Sequence, residues 1–581
     1  MVNKLSLTRI DRNGKDEKLL AKWCLLPEED ILDVNKYLEI NVNDLMSDDE
    51  IHKISKNIYI KLLPALVVKL NNQLNDNFTE DQWEILIGHW LLSYIENIVY
   101  RVDVIKKIEN DNYYVELIDQ SGWIVADNCD EFSTLLFDDY FNHQMLGEII
   151  KHGNYIRCEK LNAIKKIQKM GRKTHPKLFL KFIDILTRIS VKRSTSVISK
   201  TYLSNSLLIN GWLSGMWTPV VKGIVFVSKK NKIVNYTERK KRLRIDLEGD
   251  EYFKIAKDLL PIFIPKVLFE DLHEIFQFGS LTKPRELKNL ITANPNALGE
   301  CIKIWAMMAR ARGGFNYYII QHGSNYGQAK IISDEYIEQK VADAYLTSGW
   351  DVNLSKDNNN LKVYKNITIS RLSKLKGTFS TLSHKRSNNI VVVLASFPRY
   401  YYSCWSSPQG IRFPSYIESV LKLKELSPSI FQKIKLREYT YEYGWGEVEI
   451  YKKNGFNFTD KKNRKPLMEY MQNAQLTIFT YNSTAFLEAM ALNIPCICYW
   501  DKKEWEWRDS AIDTLNDLSN SNIYHSSFES LSLFLNQYEM SINEWWNSKS
   551  VQESRKRFCN LYARTTCSQV NKWKNLIGGR C

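Results

Sequence analysis

Apolar and polar positions recur at helical spacing most clearly over 80–101 (EDQWEILIGHWLLSYIENIVYR), where Glu84, His89, Ser93, Glu96 and Arg101 interrupt a wide apolar face. The pattern predicts one long, largely buried helix with Thr79 as its N-cap. Residues 103–125 alternate more closely and predict short strands at 113–118 and 122–126. From 131 to 210 the reading is mainly helical, with 176–190 the clearest segment.

The pattern then changes to helix, strand, glycine loop, helix, strand, the grammar of a parallel α/β sheet. A helix over 297–311 ends at Gly313-Gly314, the buried run 315–320 follows, and Gln321-His-Gly-Ser-Asn-Tyr-Gly327 stops it. A helix at about 332–342 leads to a strand at 343–347 that closes on Ser348-Gly349. The polar stretch 351–389 is the linker candidate. A second α/β series predicts strands at 389–395, 431–437, 475–480 and 495–500, with helices at 415–425 and 483–492. Beyond 526 only helices are expected.

With 581 residues, two or three domains are expected. A formal charge of +14 draws the chain towards anionic partners. The basic runs 238–244 and 461–465 adjoin no RNA-recognition or helix-turn-helix signature, which favours a nucleotide or an anionic membrane surface over nucleic acid. Ten cysteines form no disulfide or zinc framework, and no run of about 18 apolar residues occurs, so a reducing cytoplasm and a soluble or peripheral protein are expected.

Two loops carry the candidate chemistry. In Tyr481-Asn482-Ser483-Thr484, a polar side chain caps the helix that follows, leaving backbone N–H groups free for a nucleotide phosphate. Glu488, one turn on, could accept from ribose hydroxyls; a routine capped helix explains the same residues equally well. In Gln321-His322-Gly323-Ser324, glycine allows close backbone approach, and His322 can donate to a phosphate or protonate a leaving group. Both loops follow strands, at the carboxyl edges where open α/β sheets bind ligands. Arg399 and Arg437 are cationic candidates for a donor's phosphate or carboxylate, and Glu335 and Glu338 are carboxylates for acceptor activation. No DxD triplet, Walker A or HExxH pattern occurs, so neither a metal nor a resident cofactor is expected.

These residues carry a resemblance that covers nearly the whole chain. The sequence resembles the transferases encoded in bacterial O-antigen and capsule loci, and is distantly similar to capsule-synthesis transferases that use CMP-activated acidic sugars. The most specific stretches are 321–327, 342–350 and 481–495, followed by Tyr499-Trp-Asp501, Trp545-Trp546, Phe558-Cys559 and Tyr562-Ala-Arg564. Nearer the front, Lys22-Trp-Cys24, Gly88-His-Trp-Leu91 and Asp138-Asp-Tyr-Phe-Asn-His143 match in place. The family pattern has His-Gly-Gly at 322–324, Thr-Trp-Gly-Trp at 347–350 and Pro-Trp-Leu at 89–91; these departures bear on sugar or acceptor specificity.

The resemblance implies an α/β, GT-B-like fold of two Rossmann-like lobes, with a helical N-terminal elaboration and C-terminal helices. Residues 1–375 would bind acceptor, 385–525 would bind the nucleotide sugar, and 526–581 would pack back across the interface. The expected activity is metal-independent glycosyl transfer in surface-polysaccharide synthesis, from a donor such as CMP-pseudaminic acid to a glycan or lipid-linked glycan, on the cytoplasmic face of the inner membrane. His322 and Glu338 would be catalytic. Gln321, Gly323, Ser324, Arg399, Arg437, Tyr481, Asn482, Ser483, Thr484, Glu488 and Asp501 would hold the donor, and Trp90, Asn142, His143 and Tyr326 the acceptor. Two alternatives are a sugar-nucleotide epimerase, which needs no acceptor, and a non-catalytic assembly or export component, which binds without turnover.

Overall fold

The computed structural model describes residues 3–12, 17–26, 29, 31, 40, 44–108, 113–160, 190–220, 226, 233–351, 361–365, 386–460, 465–565 and 569–577. Three sheets organise these residues, each with every strand pairing parallel. The first, in order β2-β1-β3-β4, uses Asn3–Ser6 (β1), Lys18–Leu19 (β2), Tyr113–Leu117 (β3) and Arg157–Lys160 (β4). The second runs β10-β9-β8-β7-β5-β6 and contains Ser196–Ser199 (β5), Thr218–Val220 (β6), Asn289–Thr292 (β7), Asn316–Ile320 (β8), Ala344–Leu346 (β9) and Lys362–Tyr364 (β10). The third runs β12-β11-β13-β14-β15, from Ile390–Val393 (β11), Ile434–Arg437 (β12), Leu476–Phe479 (β13), Cys496–Tyr499 (β14) and Tyr524–His525 (β15).

The later α/β units fall where the hydrophobic pattern predicts them, because strands covered on both faces read as short continuous apolar runs. The front half departs from its mainly helical reading. Between 131 and 210, β4 and β5 are strands, and β4 is exposed along its length, which leaves no apolar signature. Residues 122–126 pair with no strand, the stretch 351–389 contributes β10, and most of 176–190 lies outside the described residues. The expected helical elaboration thus includes a sheet of its own.

The Glu80–Lys106 helix is buried on nearly all sides, including its polar positions. Glu84 accepts from Tyr59 and pairs with Lys340 at 2.7 Å, and the Arg101 guanidinium bonds Asn97 and Asn142. Burial of those groups is tolerated because each meets a partner. Thr79 takes the expected N-cap position, but its hydroxyl bonds Asp81 and makes no capping bond; the helix start is instead tied by Gln82, which accepts from the Thr79 backbone N–H at 3.0 Å. Every described cysteine is free, and no described helix is long and apolar enough to cross a membrane.

Among the C-terminal helices, Gln569–Ile577 buries Trp573 and Leu576 against the second sheet, and Lys549–Tyr562 reaches the loop after β9. Gly349, at φ +131°, leaves room for the Asn560 carbonyl; a β-carbon there would lie 2.2 Å from that oxygen.

Candidate functional site

In the third sheet the strand order reverses between β11 and β13, so the loops leaving those strands diverge and open a crevice. A cavity of about 380 Å³ occupies this place. Residues 395–398, Tyr400, Tyr402, Trp405 and 407–410 after β11, Tyr439 and Tyr443 after β12, 481–485 after β13 and Trp505 after β14 form one side of its lining. Residues 322–326, after β8 of the second sheet, form the other. Carboxyl-edge loops of two parallel sheets therefore share one cavity.

A closed ring of hydrogen bonds joins the loops. Ser324 Oγ donates to the Asn482 carbonyl at 3.0 Å, Asn482 Nδ2 to Gln328 Oε1 at 3.0 Å, and Gln328 Nε2 to the Ser324 carbonyl at 2.9 Å. Gly323 adopts φ +139°, a backbone conformation that favours glycine, and a β-carbon there would make only ordinary contact with Thr484 Oγ1. Ser483 caps the Thr484–Ala491 helix by accepting from Phe486 N at 3.1 Å, and Ser483 and Thr484 line the cavity at the helix's positive end.

Behind the ring, Arg508 joins the same two regions. Its guanidinium grips Glu335, its Nε donates to the Ala329 carbonyl at 2.9 Å, and Ala329 pairs with Trp507 in an isolated antiparallel bridge.

His322 lines the cavity, with Nε2 3.0 Å from the Tyr202 hydroxyl. Burial pushes its imidazole below the usual range, partly offset by a hydrogen bond to the Ala293 backbone, so the ring is neutral at pH 7. Glu338 is 2 % exposed and is not part of the lining. Tyr326 donates to its Oε1 at 3.2 Å and Tyr345 to its Oε2 at 2.8 Å. Burial, then the nearby charge of Asp334, raises the Glu338 carboxyl well above the usual range. Tyr326 lines the cavity and connects it to this buried carboxyl group.

The remaining candidates divide by position. Tyr481 lines the cavity beside Tyr439 and Trp505. Gln321 spends its amide on Ser348 N, Trp350 Nε1 and the Gly323 carbonyl, which fixes the loop shape. Glu488 is buried one turn into the Thr484–Ala491 helix, and Asp501 is exposed and accepts from Lys503 N. Arg399 points away from the cavity, towards the Trp23, Leu25 and Gly444 carbonyls; burial lowers its pKa to about 10. Arg437 lies over the Tyr470 ring and bonds Thr459 and the Lys465 carbonyl. Trp90, Asn142 and His143 are core residues: Trp90 stacks on Tyr94, Asn142 serves Arg101, and His143 bonds Thr8 and the Glu116 carbonyl. The structure does not bring these three to the cavity.

Among the described residues, the lining contains no Lys, Arg, Asp or Glu and is dominated by aromatic rings and neutral polar groups. One group of potential metal-ligand atoms, on His52, Glu96 and Cys404, lies outside this lining, and hydrogen bonds to Ser333 and to the Cys404 backbone already engage it. Tyr402, Trp405 and Gln328 escape sequence reading. The first two stand in the aromatic run 400–405 after β11, a signal that a core reading absorbs, and Gln328 lies just past the glycine loop.

Two parallel sheets meet by their carboxyl edges over an aromatic cavity in this α/β protein, and comparison with known families makes it a transferase. The model for the LIC12162 family transferase matches residues 5–577, and the chain belongs to that family. No curated protein matches it.

Proposed function

We propose that this transferase moves a glycosyl group from a nucleotide sugar to a glycan or lipid-linked glycan acceptor, in a GT-B arrangement whose donor side is 385–525 and whose acceptor side is 1–375. The observation that carries the reading is the shared cavity: two carboxyl-edge loop sets, one with a capped helix N-terminus, meet around about 380 Å³ lined by aromatic rings. Helix ends favour phosphate and aromatic faces favour sugar and base rings. The packing of the C-terminal helix beside Gly349 supports a role for 526–581 in holding the two sides together.

The neutral lining supports a donor joined to its nucleotide through one phosphate; the sequence resemblance supplies the sugar, a CMP-activated nonulosonic acid of the pseudaminic type, whose carboxylate would be met by neutral polar donors. A single phosphate charge suits the roughly half positive charge of a helix end plus hydroxyl donors. A pyrophosphate brings more charge, which usually calls for cations or a metal ion. In transfer, the bond between the anomeric carbon and the phosphate oxygen breaks, and the acceptor oxygen bonds to that carbon. The departing phosphate takes the negative charge beside Ser483, Thr484 and the helix end. Neutral His322 contributes hydrogen bonding there. The acceptor's proton passes through Tyr326 towards Glu338, whose raised proton affinity suits a base. The setting we propose is surface-polysaccharide synthesis at the cytoplasmic face of the membrane.

A thermal-shift screen of CMP, UDP, GDP and TDP with their sugar conjugates tests this reading. CMP or its conjugate is expected to stabilise most, by about 2.7 kcal/mol at a hundred times its Kd. Stabilisation by UDP or GDP with none by CMP would reject the donor class.

A further inference from the structure

The hydrogen-bond ring between the loops leaves one atom over. Gln328 Nε2 donates to the Ser324 carbonyl, which turns Gln328 Oε1 towards Asn482. Asn482 must present its Nδ2 to that oxygen, since rotating the amide would set two carbonyl oxygens against each other. Asn482 Oδ1 is thereby fixed in place, and among the described residues it has no hydrogen-bond partner although the residue is only 4 % exposed. A buried acceptor with no donor is costly, and a protein seldom keeps one without a use for it. Trp405 Nε1, on a second side chain lining the same cavity, is also buried without a partner.

We infer that Asn482 Oδ1 is a fixed acceptor for a hydroxyl or amino hydrogen of the bound ligand, which makes Asn482 a specificity-determining residue of the cleft. The inference rests on the nucleotide-sugar reading above and adds a role to it. A phosphate oxygen does not fit at this atom, because both would be acceptors. The phosphate belongs one residue further on, at the helix end capped by Ser483. Asn482 then meets a hydroxyl-bearing ring joined to that phosphate, and Trp405 Nε1 supplies a donor for a ring or carbonyl oxygen. The ring is either the ribose or the transferred sugar, and the two sources separate experimentally.

Binding of CMP, 2′-deoxy-CMP, 3′-deoxy-CMP and CMP-pseudaminic acid is measured by calorimetry on the full chain, as wild type, Asn482→Ala and Gln328→Ala. Melting curves verify that each protein is folded. Gln328→Ala breaks the ring but keeps the Asn482 amide, now free to turn its Oδ1 to the ligand, so it controls for loosening of the loops. If the ribose is the source, one deoxy probe binds wild type and Gln328→Ala about tenfold more weakly than CMP, and this gap closes in Asn482→Ala. If the sugar is the source, CMP and its deoxy forms bind alike, and CMP-pseudaminic acid alone loses about tenfold in Asn482→Ala relative to Gln328→Ala. Nucleotide binding with every preference unchanged in Asn482→Ala overturns the inference alone. Absence of binding of all four probes to folded wild type removes the nucleotide reading and the inference together.

Discussion

The Arg508 guanidinium grips both carboxylate oxygens of Glu335, at 3.0 and 2.9 Å, across 173 residues of chain. Both side chains are largely shielded, at 18 % and 7 % exposure, and the same arginine also bonds the Ala329 carbonyl. The pair fastens the Ser333–Val341 helix, which follows the loop after β8, to the segment after β14, on the far side of the hydrogen-bond ring.

Removing one member of this pair should therefore cost more than removing both. Glu335→Gln leaves a shielded guanidinium short of its counter-charge and is expected to lower stability by about 3 kcal/mol in urea unfolding. Adding Arg508→Gln to it should return part of that loss. A single-variant cost below about 0.5 kcal/mol would make the contact a surface ion pair in energetic terms.

Transfer should proceed in excess EDTA. No described acidic side chain lines the cavity, so the phosphate charge falls to the Thr484–Ala491 helix end and neutral donors. Activity lost on chelation and restored by magnesium or manganese would contradict this.

Substitutions at the two loops should separate turnover from binding. His322→Ala is expected to lower kcat by about 10²–10³ if its hydrogen bond tightens as charge develops on the leaving phosphate. Ser483→Ala and Thr484→Ala should act mainly on KM, because they hold phosphate in ground and transition states alike. Loss of the Ser483 cap also costs about 1 kcal/mol of stability, so melting is measured beside kinetics. A folded His322→Ala enzyme with unchanged kcat would leave the histidine as a support for the loop.

Stability should fall in mild acid through His525. The ring is buried between Ser530 and the Asn522 carbonyl, and burial lowers its pKa from the usual 6.5 to about 4. The folded state therefore keeps it neutral where the unfolded chain would protonate it. Its contribution is complete above pH 6.5 and is lost as pH falls towards 4, up to about 3 kcal/mol. His525→Gln, which retains an amide for hydrogen bonding, should flatten the slope of unfolding free energy between pH 6.5 and 4. An unchanged slope would assign the acid sensitivity elsewhere.

The later parallel strands were legible because burial on both faces writes them as apolar runs, as in 475–480 and 495–500. From those strands followed the two carboxyl-edge loops that border the cavity. Exposed β4 and short β10 carry no such signature, so of the front sheet only β3 was legible, at 113–118, and the end of the second sheet stayed hidden. For single side chains, type and local position were insufficient. Arg399 stands after a strand of the third sheet and still turns to carbonyls near the N-terminus, a partner choice that depends on tertiary packing. Trp90, Asn142 and His143 share their composition with a ligand site, yet the core uses aromatic stacking and buried amides in the same way. Asn482 gains its unpaired oxygen from Gln328, a residue 154 positions away.

Arg399 also sets a clock on biosynthesis. Its guanidinium holds the Trp23 carbonyl, 376 residues earlier in the chain. At about 5–20 residues per second, the ribosome takes roughly 20–75 s between making the two. During that interval the N-terminal segment has been synthesised and its anchor has not. A nascent chain stalled before residue 399 should thus expose the segment around Trp23 to protease, and release past that point should close it.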